Sequence, residues 1–334
     1  MLVTFNKIIR KLFKVLIFLI ALLLIILIAF RVLAAFRETE TSHGMALDNG
    51  QFVVIGKEEI HIQTYGETSN TTILLIHGTA AWGGLWKETA VFLASNGYRV
   101  YALDLPPFGF SSRPSNARYS RIAQAKRINT LLKVLKLKDT IIVGHSFGSG
   151  AAVEAVMQDK SLFSGLVLID AALNLDAREK SVKLSFFLEN EMIREHIVSA
   201  TITNPYLTEI LLKTLLYKQD VNLDTYVEIL QRPMVIKGST SAITQWLPFL
   251  LLDEIDALSS DKMSYKKLDL PCELLWGNQD SVTPLRQGKS LNKLIKNSNI
   301  NILDEVGHIP QIENPEYLQQ SLLKSLKRIE NMSI

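Results

Sequence analysis

Residues 141–152 read "IIVGHSFGSGAA", with Ser146 framed by Gly144 and Gly148 directly after an apolar, partly β-branched run. Small residues in such a frame serve one of two ends. Either a tight turn needs them, or the chain is lifting a side chain out of the end of a strand. The surrounding sequence favours the second. "DTIIVGHS" has the apolar run of a buried parallel strand, and a helical stretch follows through Met157. The pentapeptide G-x-S-x-G is thus in a strand–turn–helix setting. There a serine hydroxyl projects from the carboxyl edge of a sheet, where open α/β sheets bind ligands.

Strands and helices alternate outward from this point. "QFVVIG" and "EEIHIQTYG" read as two strands joined by a turn at Gly56–Glu58, with His61 expected at the surface. "TTILLIHG", "RVYALDLP" and "SGLVLIDAA" are further strands, with helices predicted over Leu85–Asn96 and within "RYSRIAQAKRINTLLKVLKL". From residue 173 to about 265 no convincing strand occurs, and amphipathic helical segments take over. Alternation resumes at "CELLWG", "PLRQGKSLNKLIK", "NINILDEVG" and "PEYLQQSLLKSLKRI". The pattern predicts a mostly parallel sheet flanked by helices, with an all-helical insertion. It divides the body into a core of 51–172 and 266–334 and a helical cap of 173–265.

The N-terminus is different. "VLIFLIALLLIILIAF", Val15–Phe30, has no charge, and 22 residues from Val15 to Phe36 would span about 33 Å as a helix. Residues 15–36 are read as a transmembrane anchor, with Arg31 snorkelling near one end. Residues 1–14 form a basic segment and 37–50 a polar linker. Lys7, Arg10, Lys11, Lys14, Arg31 and Arg37 give this region +6, so the rest of the chain carries −3 of the total +3. The positive-inside rule puts the N-terminus in the cytoplasm and the body outside it, a single-pass arrangement. A cleaved signal peptide, with "VLA" at 32–34 as the processing site, is the competing reading. A mildly acidic body gives no sign of nucleic-acid binding. The lone Cys272 excludes an intrachain disulfide. Asn70 and Asn331 begin N-x-[ST] triplets, which matter only in a glycosylating pathway.

A serine needs a base to act as a nucleophile. Of six histidines, His43 lies in the linker, His77 and His145 are tied to glycine turns, and His196 is on a charged helix. His145, adjacent to the serine, is expected to point away from it. His308, in "EVGHIPQIENPE", follows the last strand and can be carried by a loop to the carboxyl edge. Its orienting acid is read as Asp280, in "LLWGNQDSVTP", with Asp170 at the end of "LVLID" as the competitor. Acyl transfer also needs oxyanion donors. The N–H after the serine, from Phe147, supplies one, and the N–H of Thr79 in "IHGTAAWGG" the other. Trp82, Trp86, Phe186 and Phe249 are read as candidate pocket residues. No metal or organic cofactor is implied.

Four segments, in order, carry a resemblance to the α/β-hydrolase fold superfamily over about residues 50–330: "HGTAAW", "DLPPFGFSSRP", "GHSFGS" and "WGNQD…GHIPQIENP". One departure is Pro107, which stands where that superfamily usually has a glycine. The resemblance implies a Ser–Asp–His hydrolase with a lid. The anchor resembles that of the superfamily's membrane-bound monoacylglycerol lipases, implying a lipid or other apolar acyl ester as substrate. Carbon–carbon bond hydrolysis and a non-turnover receptor remain as alternatives.

Overall fold

The computed structural model describes residues 2–68, 70–114, 118–173, 175, 186–252 and 254–332. Eight strands form one sheet: β1 (Gly50–Ile55), β2 (Glu58–Tyr65), β3 (Thr71–Ile76), β4 (Tyr98–Leu103), β5 (Thr140–His145), β6 (Phe163–Ile169), β7 (Cys272–Gly277) and β8 (Ser298–Leu303). Their order is β1-β2-β4-β3-β5-β6-β7-β8. β2 pairs antiparallel with β1 and β4, and every other pairing is parallel.

The helices used below are α1 (Leu2–Arg37), α2 (Lys87–Ser95), α3 (Arg121–Val134), α4 (Phe147–Gln158), α5 (Glu191–Ala200), α6 (Pro205–Leu215), α7 (Asp224–Gln231), α8 (Ser239–Leu251), α9 (Leu285–Leu294) and α10 (Pro315–Met332). Ile142, Leu166 and Leu274 on one sheet face pack with Ile128 of α3, Ala152 of α4 and Leu291 of α9. Ile73, Val143 and Val167 on the other pack with Leu93 of α2 and Leu322 of α10. Apolar side chains on both faces explain why β5 is buried along its whole length and reads as an unbroken apolar run.

Between β6 and β7 the described residues hold helices and no strand of the sheet. α5 is stopped short of Phe186–Glu189 by Asn190, whose side chain accepts the Ile193 N–H. The sequence reading missed α8, because Pro248 lies inside it and its face carries no charge pattern.

Two expectations are corrected. His61 is fully buried, not on the surface, because β2 is covered on both edges; its Nδ1 meets Asp104 Oδ2 at 2.8 Å. Residues 38–50 are polar in sequence yet tied down. Glu40 bridges to Ile236, the Glu38 side chain bonds Thr240, and Leu47 packs beside Trp82 and Phe110. Arg31, near the end of the apolar run, pairs with Glu195 of α5 at 2.8 Å. α1 contains a 30-residue stretch, Ile8–Arg37, long and apolar enough to cross a membrane.

Candidate active site

Ser146 closes β5 and opens α4. Its φ of 49° and ψ of −123° are strained for a residue with a Cβ. Backbone hydrogen bonds hold it there: its N–H donates to Ile169 O at 3.0 Å, and its carbonyl accepts from Ser149 and Ala172. The glycine frame has a steric cause. A Cβ on Gly148 would sit 2.2 Å from the His77 carbonyl oxygen, and one on Gly144 would sit 2.7 Å from Ser149 Cα. Gly148→Ala is therefore expected to cost more than about 2 kcal/mol, read as a lowered midpoint in urea. An unchanged midpoint would show that the loop at His77 gives way freely.

Ser146, His308 and Asp280 come together. His308 Nε2 lies 2.8 Å from Ser146 Oγ, and His308 Nδ1 lies 2.9 Å from Asp280 Oδ2. All three are buried. The Val282 and Thr283 N–H groups donate to Asp280 Oδ1, and the Thr283 hydroxyl donates to Oδ2. Burial pushes the Asp280 carboxyl up, but His308 and Thr283 outweigh it and bring it below its ordinary value. An ionised Asp280 fixes the Nδ1–H tautomer of His308, leaving Nε2 free to accept from the serine.

The competing acid, Asp170, lies at the end of β6. Its Oδ1 accepts the Gly277 N–H at 2.8 Å. Burial, and then the charge of Asp280, raise its carboxyl well above the usual range. The two neighbouring carboxyls are thus shifted in opposite directions, and the one shifted toward ionisation contacts His308.

The His145 side chain reaches the histidine loop rather than the serine hydroxyl. Its Nε2 donates to the His308 carbonyl at 2.9 Å, and burial followed by the nearby His308 pushes its value down to about 3. It is a neutral strut under the histidine loop. Glu313, which the sequence reading passed over, is a second strut. It accepts the N–H groups of Gly307, Tyr217 and Lys218, joining that loop to the chain after α6. The only trace of it in sequence is a carboxylate five residues after the histidine, too common a pattern to single out.

Thr79 and Ala80 line a cavity of about 400 Å³ that also touches Ser146 and His308. Phe147 begins α4, so its N–H has no acceptor within the helix. Among the described residues no hydrogen bond occupies the N–H of Thr79 or Phe147. The loop bearing Thr79 is held by Asp104, which accepts from the Gly83 N–H, and by His77, whose Nε2 accepts from the Leu105 N–H.

The rest of the cavity wall is mostly apolar and comes largely from the inserted segment, with Ile202, Leu212, Leu215, Leu230, Met234 and Leu250 beside the polar Thr208, Thr214 and Gln231. The expected pocket aromatics are elsewhere. Trp82 donates to the Ile229 carbonyl and packs on Phe110. Trp86 is fully buried beside His145, and Phe249 stacks edge-on to Tyr119. Large flat rings complete these interhelical seams, while smaller aliphatic side chains leave the void. The Phe186 side chain lies outside the described residues. Pro107 is buried, and the cavity is lined by other residues.

Comparison with known proteins agrees with this architecture. The family model for the alpha/beta hydrolase fold matches residues 71–315. A monoacylglycerol lipase of Rattus norvegicus is 24% identical over 268 residues, covering 78% of this chain and 76% of that protein. A 2-hydroxymuconate semialdehyde hydrolase of Pseudomonas sp. (strain CF600) is 25% identical over 248 residues, covering 72% and 82%. The crystal structure of a bacterial membrane phospholipase A superposes with a TM-score of 0.69 at 24% identity, covering 96% of this chain and 99% of that one. A match over most of the chain, on a sheet of this order with a serine elbow after β5, makes the protein a member of the alpha/beta hydrolase fold family, and a hydrolase.

Proposed function

We propose that this hydrolase is a membrane-anchored serine esterase acting on a lipid or other apolar acyl ester. The observation that supports it most is the hydrogen-bonded row Ser146–His308–Asp280 opening into an apolar cavity of about 400 Å³. Ser146 Oγ attacks the ester carbonyl carbon while His308 Nε2 takes its proton. Negative charge collects on the carbonyl oxygen, where the Thr79 and Phe147 N–H groups donate to it. Collapse breaks the ester bond, and His308 returns the proton to the leaving alcohol. Water then attacks the acyl-enzyme, with His308 again as base, and releases the carboxylic acid and Ser146. Asp280 holds the tautomer and balances the imidazolium.

The anchor reading follows from the exposed apolar stretch of α1 and its basic flank, which favours a cytoplasmic N-terminus and an external catalytic body. The helices between β6 and β7 act as the cap that supplies the acyl wall. The name of the Rattus relative, a monoacylglycerol lipase, points the same way.

The test is turnover of p-nitrophenyl esters of increasing acyl length. Each buried methylene adds about 0.8 kcal/mol, so kcat/KM is expected to climb about fourfold per carbon until the wall is reached. A flat profile would remove the acyl-pocket assignment. Turnover of a ring-fission dienoate in preference to every ester would favour carbon–carbon hydrolysis, as in the Pseudomonas relative.

A further inference from the structure

The candidate span of α1, Ile8–Arg37, has 30 residues and reaches about 45 Å, against about 30 Å of hydrocarbon. Arg10, Lys11 and Lys14 lie in its first turns, and protein covers its last ones: Ala34 is fully buried, Arg31 pairs with Glu195, and Arg37 bonds the Thr203 carbonyl. The bilayer therefore takes the uncharged run Val15–Phe30 and ends near Arg31.

These contacts also set the direction of two neighbouring helices. α5 runs parallel to α1, since Arg31 meets Glu195 and Arg37 meets Thr203 further along. Its first turn, with Met192, faces back toward the bilayer. α8 runs the other way. Thr240 sits at Glu38 and Thr203, and the Thr244 carbonyl at Arg194. Six residues past Thr244, about 9 Å nearer the membrane, come Leu250 and Leu251. Met192 is 69% exposed, Leu251 38% and Leu250 37%. Leu250 also lines the cavity at Ser146.

We infer that the N-terminal turn of α5 and the C-terminal turn of α8 rest in the bilayer surface that α1 enters, and that substrate passes from the lipid phase into the Ser146 cavity at Leu250. The inference builds on the membrane-anchored esterase reading. Its occupant is a lipid surface, because α1 delivers this end of the protein to one. Glu189 and Glu191 flank the apolar turn, so a zwitterionic surface suits it better than an anionic one. Leu211, Thr214 and Val282 are the other exposed lining residues, and they offer an aqueous route as the competing entry.

The test uses the full chain in phosphatidylcholine vesicles, with Met192→Glu combined with Leu251→Glu. Neither side chain lines the cavity. Hydrolysis of a long-chain monoacylglycerol held in the vesicles is expected to fall at least about tenfold, since charge is expelled from the interface. Hydrolysis of water-soluble p-nitrophenyl butyrate should change by less than about twofold, as for ordinary surface substitutions. Equal falls for both substrates, or no change in either, overturn the proposal.

A second readout is independent of turnover. A fluorophore on Met192→Cys should be quenched by brominated lipid, while one on Lys138→Cys, just before β5 at the opposite sheet edge, should not. An unquenched Met192 label beside normal ester turnover sinks the docking alone. A quenched label in a protein that turns over neither ester sinks the esterase reading and keeps the docking.

Discussion

Replacing Ser146 with alanine is expected to lower ester turnover by about 10⁶-fold, to the level left by binding and oxyanion donors alone. The substitution removes one oxygen and keeps the Cβ. The backbone bonds to Ile169, Ser149 and Ala172 that hold the strained turn are untouched. The variant should melt with the wild type, so loss of activity cannot be ascribed to loss of fold. It should also lose covalent labelling by a fluorophosphonate, which reports an activated serine directly. Residual turnover above about a hundredth of wild type would place the nucleophile elsewhere. A folded wild-type protein that resists the probe would favour a ligand-binding role on the same fold.

The second large effect separates the two buried acids. Asp280→Asn is expected to lower kcat about 10⁴-fold, because an amide can donate to His308 and so select the wrong tautomer. Asp170→Asn is expected to cost less than about tenfold. Burial favours the neutral form of Asp170, which an amide mimics, and the amide oxygen can keep the Gly277 bond. Equal losses from both substitutions would mean that the two carboxyls work as one unit.

The two acids also differ in sign with pH. Asp170 has a raised folded value, so the stability it contributes is full below the ordinary aspartate range of about 4 and is lost as pH rises toward its folded value. Asp170→Asn removes that loss, and its melting temperature relative to wild type should climb with pH above about 4. Asp280, with a lowered value, contributes stability above the ordinary range and loses it as acid protonates the folded carboxyl. Asp280→Asn should therefore destabilise at neutral pH and approach wild type in acid. Parallel pH profiles for the two variants would contradict the assignment of charge.

Much of this was written in local sequence. Unbroken apolar runs such as Ile141–Val143 and Leu166–Ile169 are readable because a strand covered on both faces has no polar side to show. Gly144 and Gly148 are readable because their reason is a backbone contact within one turn of chain, or across to an adjacent strand. The fold follows from such signals, and so do Ser146 and His308 as candidates, together with their order along the chain.

Other features depend on which segments meet. Asp170 and Asp280 end neighbouring strands with the same local signature. Only the touch of His308 on Asp280, and the burial of Asp170 against it, shifts the two carboxyls in opposite directions. His61 reads as an edge-strand histidine until Asp104, 43 residues later, arrives beside it. Arg31 reads as a charge at a membrane edge until Glu195 pairs with it. Most of the cavity wall cannot be picked out of the sequence. Leu212, Leu230 and Leu250 have the same helical spacing as leucines that only pack, and whether a leucine faces a void or a neighbour is decided by the crossing of α6, α7 and α8. A sequence specifies the periodicity of an apolar face; what that face closes upon exists only once distant segments are brought together.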